Sequence, residues 1–161
     1  MKIGIIADTH ENMPKISRAV ELFNSSGVDA VFHAGDLISP ITLKELKNLK
    51  SKMHLVFGNN DGEKKVLREK LKETGTVSER YFETTLEDRK ILMMHEPELL
   101  AQLADSGKYD VIIYGHTHIA EIKTQGKTLI INPGEACGWL HGKSTAAVLD
   151  LQTLKCEIIE I

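Results

Sequence analysis

A chain of 161 residues, 42% hydrophobic and 27% charged, has the size of one domain and the make-up of an ordinary globular protein. Those fractions exclude disordered and collagen-like architectures. A net charge of -3 argues against a polybasic binder of nucleic acid or of membrane surfaces, though it says nothing against a small anionic substrate.

Ile3–Ala7 is a short apolar run that suits a strand buried on both faces. Asp8 ends it too soon for the core of a signal peptide, and every other apolar run falls far short of the roughly 20 residues that span a bilayer. Asn12 then caps a helix with Pro14 in its first turn. Ile16, Ala19, Val20 and Phe23 recur at helical spacing, and Gly27 stops it. Ala30–Phe32 reads as the second strand and Leu55–Phe57 as the third. Between them Pro40 opens a helix through about Leu49, and Glu63–Glu73 predicts another. Tyr81–Leu86 and Lys90–His95 pair around Glu87-Asp88, with Ile91–Met94 as the buried run. Pro97–Asp105 makes a fourth helix before the strand Val111–Tyr114.

The last third is β-rich. Ile119–Thr124 and Lys127–Ile131 form a hairpin through Gln125-Gly126, and Ala146–Leu151 pairs with Lys155–Ile161 through Gln152-Thr153. With no linker, repeat or low-complexity stretch, residues 1–161 read as one domain, an α/β sandwich of two mixed sheets with helices outside. Cys137 and Cys156 make neither a disulfide framework nor a metal-ligand pair, so they read as reduced thiols in a cytoplasmic protein.

Side chains able to bind metal follow five of these strands. Asp8 and His10 follow the first, Asp36 the second, Asn59 the third, His95 the fourth, and His116 and His118 the fifth. Ligands of an open α/β sheet bind outside the carboxyl ends of its strands, so these loops converge on one rim. Glycines before Asp36, Asn59 and His116 let the backbone turn sharply there. Asp-x-His, Gly-Asp or Gly-Asn alone is an ordinary turn or surface pair, and Gly-His-Thr-His alone says somewhat more; the ordered set is what points to chemistry. Two carboxylates, one amide and four imidazoles, with no thiolate, suit two divalent ions if one Asp bridges them. Mn²⁺ leads, with Ni²⁺, Fe, Co²⁺ or Zn²⁺ also fitting, and Ca²⁺ and Mg²⁺ suit the set less well. Two such ions about 3.5–4 Å apart would share a hydroxide and clamp a phosphoryl oxygen. His33 reads as a satisfied core ring, His54 as the start of a strand, and His141 as exposed on the rim.

The order Asp8-x-His10, Gly35-Asp36, Gly58-Asn59, His95, Gly115-His116-Thr117-His118 resembles the calcineurin-like metallophosphoesterase superfamily. The closing Asn132-Pro133-Gly134 loop also fits. The compact length is most similar to the small bacterial and archaeal phosphodiesterases of the YfcE type. The resemblance implies a four-layer α/β/β/α sandwich of two mixed β-sheets flanked by helices. It implies one ion on Asp8, His10, Asp36 and His118, and the other on Asp36, Asn59, His95 and His116. The implied activity is hydrolysis of a small phosphoester, a diester rather than a monoester, by a bridging hydroxide. Asp36, Asn59 and Asn60 would be the catalytic residues, and a homo-oligomer is the implied assembly.

The chain departs from the family pattern in three places. Asn60 stands where many members have a His thought to protonate the leaving group, and an amide cannot deliver that proton. Glu96-Pro97 follows His95 in place of a Gly-His pair. Glu135 follows Asn-Pro-Gly where Ser is common, and is expected to face solvent. The alternative is a protein-interaction scaffold of the same fold, like the retromer subunit of this superfamily. No dedicated nucleic-acid groove is expected, because aromatics are 5% of the chain and Lys44, Lys47, Lys50, Lys64 and Lys65 read as solvated helix faces. Trp139 reads as a partly buried anchor or subunit contact, or else as a cap on the mouth of the site.

Overall fold

Alternation along the strands sends side chains to two different interfaces, and this sets the layers. A computed structural model describes residues 1–72 and 74–161. In chain order its elements are β1 (Lys2–Ile6), α1 (Met13–Ser26), β2 (Ala30–His33), a 3₁₀ turn (Pro40–Thr42), α2 (Leu43–Leu46), β3 (Lys52–Val56), α3 (Lys64–Leu71), β4 (Gly75–Ser78), β5 (Tyr81–Leu86), β6 (Arg89–Met94), α4 (Leu100–Asp105), β7 (Val111–Ile113), β8 (Glu121–Gln125), β9 (Thr128–Asn132), β10 (Thr145–Asp150) and β11 (Lys155–Glu160). The strands form one sheet in the order β11-β10-β1-β2-β3-β4 and a second in the order β5-β6-β7-β9-β8. Both are mixed: β1, β2, β3 and β4 run parallel, as do β6, β7 and β9, while β10 is antiparallel to β1, β11 to β10, β5 to β6 and β8 to β9.

Ile3 and Ile5 of β1 meet Ile91 and Met93 of β6 and Val111 and Ile113 of β7 between the sheets. On its other face the first sheet packs Ile6, Val31 and Leu55 against Ile16, Val20 and Phe23 of α1, Leu46 of α2 and Leu67 of α3. Leu92, Met94, Ile112 and Ile130 of the second sheet turn outward to Ala104 of α4. Three apolar interfaces therefore separate four layers, helix, sheet, sheet and helix, as expected. Burying a side chain of this size contributes about 1.5–3 kcal/mol, so the two-sided strands carry most of the stability.

The differences from expectation are local. The helix expected from Pro40 to Leu49 is a 3₁₀ turn and a single α-turn. Asn24 at the end of α1 donates to the Asn48 carbonyl and accepts from the Lys50 N–H, which ends it early. The fourth helix starts at Leu100 and not Pro97, because Leu99 takes a left-handed backbone with φ 53°. The third strand begins at Lys52, three residues ahead of the expected Leu55, so His54 lies within it. Strand β4 was unforeseen. Its Gly75 runs so close to β3 that a Cβ there would lie 1.6 Å from the Met53 carbonyl oxygen. Glu73, the last residue of the expected third helix, lies outside the described residues. Among the described residues no helix is long and apolar enough to cross a membrane.

Candidate metal centre

Parallel strands of both sheets release their carboxyl ends at the same edge of the sandwich. Asp8 and His10 follow β1, Asp36 follows β2, Asn59 follows β3, His95 follows β6, and His116 and His118 follow β7. Five of these seven have a left-handed backbone: Asp8 (φ 51°), His10 (36°), Asp36 (59°), His116 (68°) and His118 (62°). Each such non-glycine residue costs about 1–3 kcal/mol and persists only where its surroundings impose it, a pattern typical of functional sites.

The glycines before three of the ligands act differently from one another. Gly35 does take φ 95°, the sharp turn expected. Gly58 and Gly115 do not; they are small because the ligands lie against them. A Cβ on Gly58 would sit 2.1 Å from Asp36 Oδ1, and one on Gly115 2.9 Å from Asp8 Oδ2.

The structure brings all seven sequence-derived ligands together in two adjoining groups. His118 Nε2 lies 3.4 Å and His10 Nε2 4.0 Å from Asp8 Oδ1. Asp36 Oδ2 lies 3.5 Å from His10 Nε2 on one side and 3.4 Å from His95 Nε2 on the other. Asn59 Oδ1 faces His95 Nε2 at 2.9 Å and His116 Nδ1 at 3.0 Å. Asp36 thus stands between a group of Asp8, His10 and His118 and a group of Asn59, His95 and His116.

Electrostatics and satisfaction both fit a cation. Asp8 Oδ1 and His10 Nε2 are buried and have no hydrogen-bond partner, a costly state for ligating atoms unless something positive joins them. Burial, only partly offset by the His95 and His118 charges, pushes the Asp8 carboxyl up to about 7. Burial also opposes the charge on Asp36, but the hydrogen bonds and charge of His95 and the amide and backbone N–H of Asn60 hold its carboxyl well below the usual range. His95 is moved up: burial disfavours its charged form and Asp36 more than compensates. The donor set is oxygen and nitrogen without thiolate, suited to divalent transition metals.

Neighbouring groups fix the ligands. His95 turns Nδ1 to the Ala34 carbonyl at 2.7 Å, leaving Nε2 for the site. Asn60 donates its backbone N–H to Asp36 Oδ1 and its amide to Oδ2, at 2.9 and 2.7 Å. His33 is buried as expected, accepting from the Gly35 N–H and paired with the Thr9 hydroxyl. Two residues were missed. Asp61 accepts from the backbone N–H groups of Asp36, Ile38 and Gly58 and so ties the loops after β2 and β3 together. The readable signal was a carboxylate three residues beyond Gly58.

Glu135 is the second, and the expectation that it faces solvent is wrong: it is 1% exposed and accepts from His118, Cys137, Leu140 and His141. Burial works against its charge, yet these donors bring its pKa down to about 2. Trp139 is 63% exposed, and its indole Nε1 lies 3.4 Å from the His10 carbonyl, so it stands at the mouth of the site and is no buried anchor. His141 is exposed as expected. Cys137 and Cys156 are free thiols. A cleft of about 430 Å³ between α2, α3 and the start of β3 lies at the opposite, amino end of that strand and holds none of these groups.

Residues 1–154 match the family model of the calcineurin-like phosphoesterase superfamily domain, and the chain belongs to that superfamily. Phosphodiesterase MJ0936 of Methanocaldococcus jannaschii is 40% identical over 156 residues, 94% of each chain. The solved structure of an archaeal phosphodiesterase superposes with a TM-score of 0.94 at 37% identity, covering all of both chains. These relatives are of the small phosphodiesterase type that the compact length resembles. Vps29 of Entamoeba histolytica, solved with zinc, aligns over 99% of both chains with a TM-score of 0.73 at 22% identity. That likeness concerns the fold alone and lends the scaffold alternative no support.

Proposed function

We propose that the chain is a metal-dependent phosphodiesterase acting on a small phosphoester, with two divalent transition-metal ions per chain. Asp8, His10, Asp36 and His118 hold the first ion, and Asp36, Asn59, His95 and His116 the second. One observation carries the reading: the Asp36 carboxylate lies between His10 and His95, at 3.5 and 3.4 Å, where it reaches both groups. Membership of the superfamily and the 40% identity to a named phosphodiesterase support the same activity. Ions held there would supply a nucleophile active at neutral pH and positive charge for the phosphoryl oxygens.

The chain's own residues do the rest. Asp8 and Asp36 bring the negative charge that retains cations, and the Asn60 amide and backbone N–H keep Asp36 from rotating out of the shared position. Asn59 presents its amide to the reacting group beside His95 and His116, and Asn60 adds polarity at the same rim. Neither amide can donate a proton to a departing alkoxide, and the ligand imidazoles are committed to metal. The leaving group must therefore depart with little protonation by the protein.

The test is to strip the metals and reconstitute with Mn²⁺, Ni²⁺, Fe²⁺, Co²⁺, Zn²⁺ or Mg²⁺. Turnover of an aryl phosphodiester is compared with that of the matching monoester. We expect the diester to be favoured, Mn²⁺ to serve best, and the rate to climb steeply as the leaving group becomes more acidic. No turnover with any ion, despite two bound per chain, would return the scaffold alternative.

A further inference from the structure

The buried carboxylate of Glu135 takes four donors. The backbone N–H groups of Leu140 and His141 reach Oε1 at 3.0 and 2.5 Å, while the Cys137 thiol and His118 Nδ1 meet Oε2 at 3.2 and 2.9 Å. On the opposite edge of the same imidazole, Nε2 faces Asp8 Oδ1 at 3.4 Å, inside the first group of ligands. A neutral imidazole carries one proton and ligates through its other nitrogen. Glu135 accepts and cannot donate, so it selects the tautomer with the proton on Nδ1. The Nε2 lone pair then points into the centre.

We propose that Glu135 is a positioning residue that fixes the His118 tautomer and thereby sets the affinity of the first ion alone. The inference rests on the metal-centre reading above. The second group is held by other means, His95 by the Ala34 carbonyl at 2.7 Å and Asn59 by its two imidazoles. None of those atoms meets Glu135. A carboxylate suits the place because it can face four donors at once. An amide of the same shape would turn an N–H toward His118 or toward the Leu140 and His141 N–H groups. Partners of this kind typically alter metal affinity about 10–100-fold when removed.

Two measurements test it. The first uses the metal-free wild type at mildly alkaline pH, with long-range ¹H–¹⁵N spectra of its histidines and the His118 signal assigned by its loss in His118→Ala. A proton on Nδ1 is expected; a proton on Nε2 overturns the proposal, and no Glu135 variant has to fold for this to be decided. The second is calorimetric Mn²⁺ titration of wild type and Glu135→Gln. One of the two affinities should fall about 10–100-fold with the other unchanged, and in a His118→Ala background the same substitution should cost nothing more. Both affinities intact, or both lowered together, would contradict the assignment. Fewer than two ions on the wild type would instead count against the metal-centre reading, leaving the tautomer to decide the role of Glu135.

Discussion

The two halves of the candidate metal centre are built on different principles. Around Asp8, His10 and His118 the candidate ligands are largely buried and two of their atoms lack a partner. Around Asn59, His95 and His116 the oxygen donor is a neutral amide, Asn59 and His116 are exposed, and His95 is steered by a backbone carbonyl. The first half concentrates carboxylate charge and unpartnered ligating atoms where a cation would relieve both. The second offers an open face where a substrate oxygen can approach. In the proposed centre Asp36 is the one carboxylate, among the described residues, that reaches both groups, so changes there should act on both halves and changes elsewhere on one.

The largest effect should come from Asp36→Asn, which weakens both groups. Loss of several kcal/mol of charge stabilisation corresponds to about a 10³-fold drop in kcat/KM, measured with an aryl phosphodiester. Next, His118→Ala and His116→Ala should each leave about one tightly held ion per chain by metal analysis, and should differ in which half is emptied. Gly58→Ala should follow, because the added Cβ meets Asp36 Oδ1 at 2.1 Å. A loss of about 1–3 kcal/mol in denaturant titration is expected for such crowding, together with weakened uptake of both ions. Normal stability and metal content would show that Asp36 need not lie where it does.

The effect that is smallest at neutral pH, where it vanishes, is pH-dependent and lies behind the site. Burial pushes the His33 imidazole down to about 3, so it stays neutral in the fold while the unfolded chain binds its proton near the ordinary histidine value of about 6.5. The unfolded state then carries one more proton below that value, so stability drops by about 1.4 kcal/mol for each unit that pH is lowered between roughly 6.5 and 3. Above 6.5 the term vanishes. His33→Asn should flatten the acid limb of the stability profile by one proton; an unchanged slope would show that His33 is not buried neutral.

What was legible in the sequence follows from this division. Apolar runs such as Ile91–Met94 and Val111–Tyr114 are buried on both faces, so they announce themselves as strands, and the ligand motifs sit at their ends. Strand β4 escaped because an edge strand of Gly75, Thr76, Val77 and Ser78 buries none of them fully and shows no apolar run. The roles of Asp61 and Glu135 escaped for a different reason. A carboxylate that accepts backbone N–H groups from distant loops carries no periodic signature, and only the folded chain brings Leu140, His141 and His118 to one side chain. Likewise the reason for Gly58 is a neighbour, Asp36, that lies far along the chain.

Metal content per chain in wild type and Asp36→Asn, measured after reconstitution with Mn²⁺ under identical conditions, tests the shared carboxylate most directly. Two ions should bind the wild type, and the variant should lose affinity at both positions, retaining less than one. A variant that keeps two ions at wild-type affinity would contradict a centre built around Asp36.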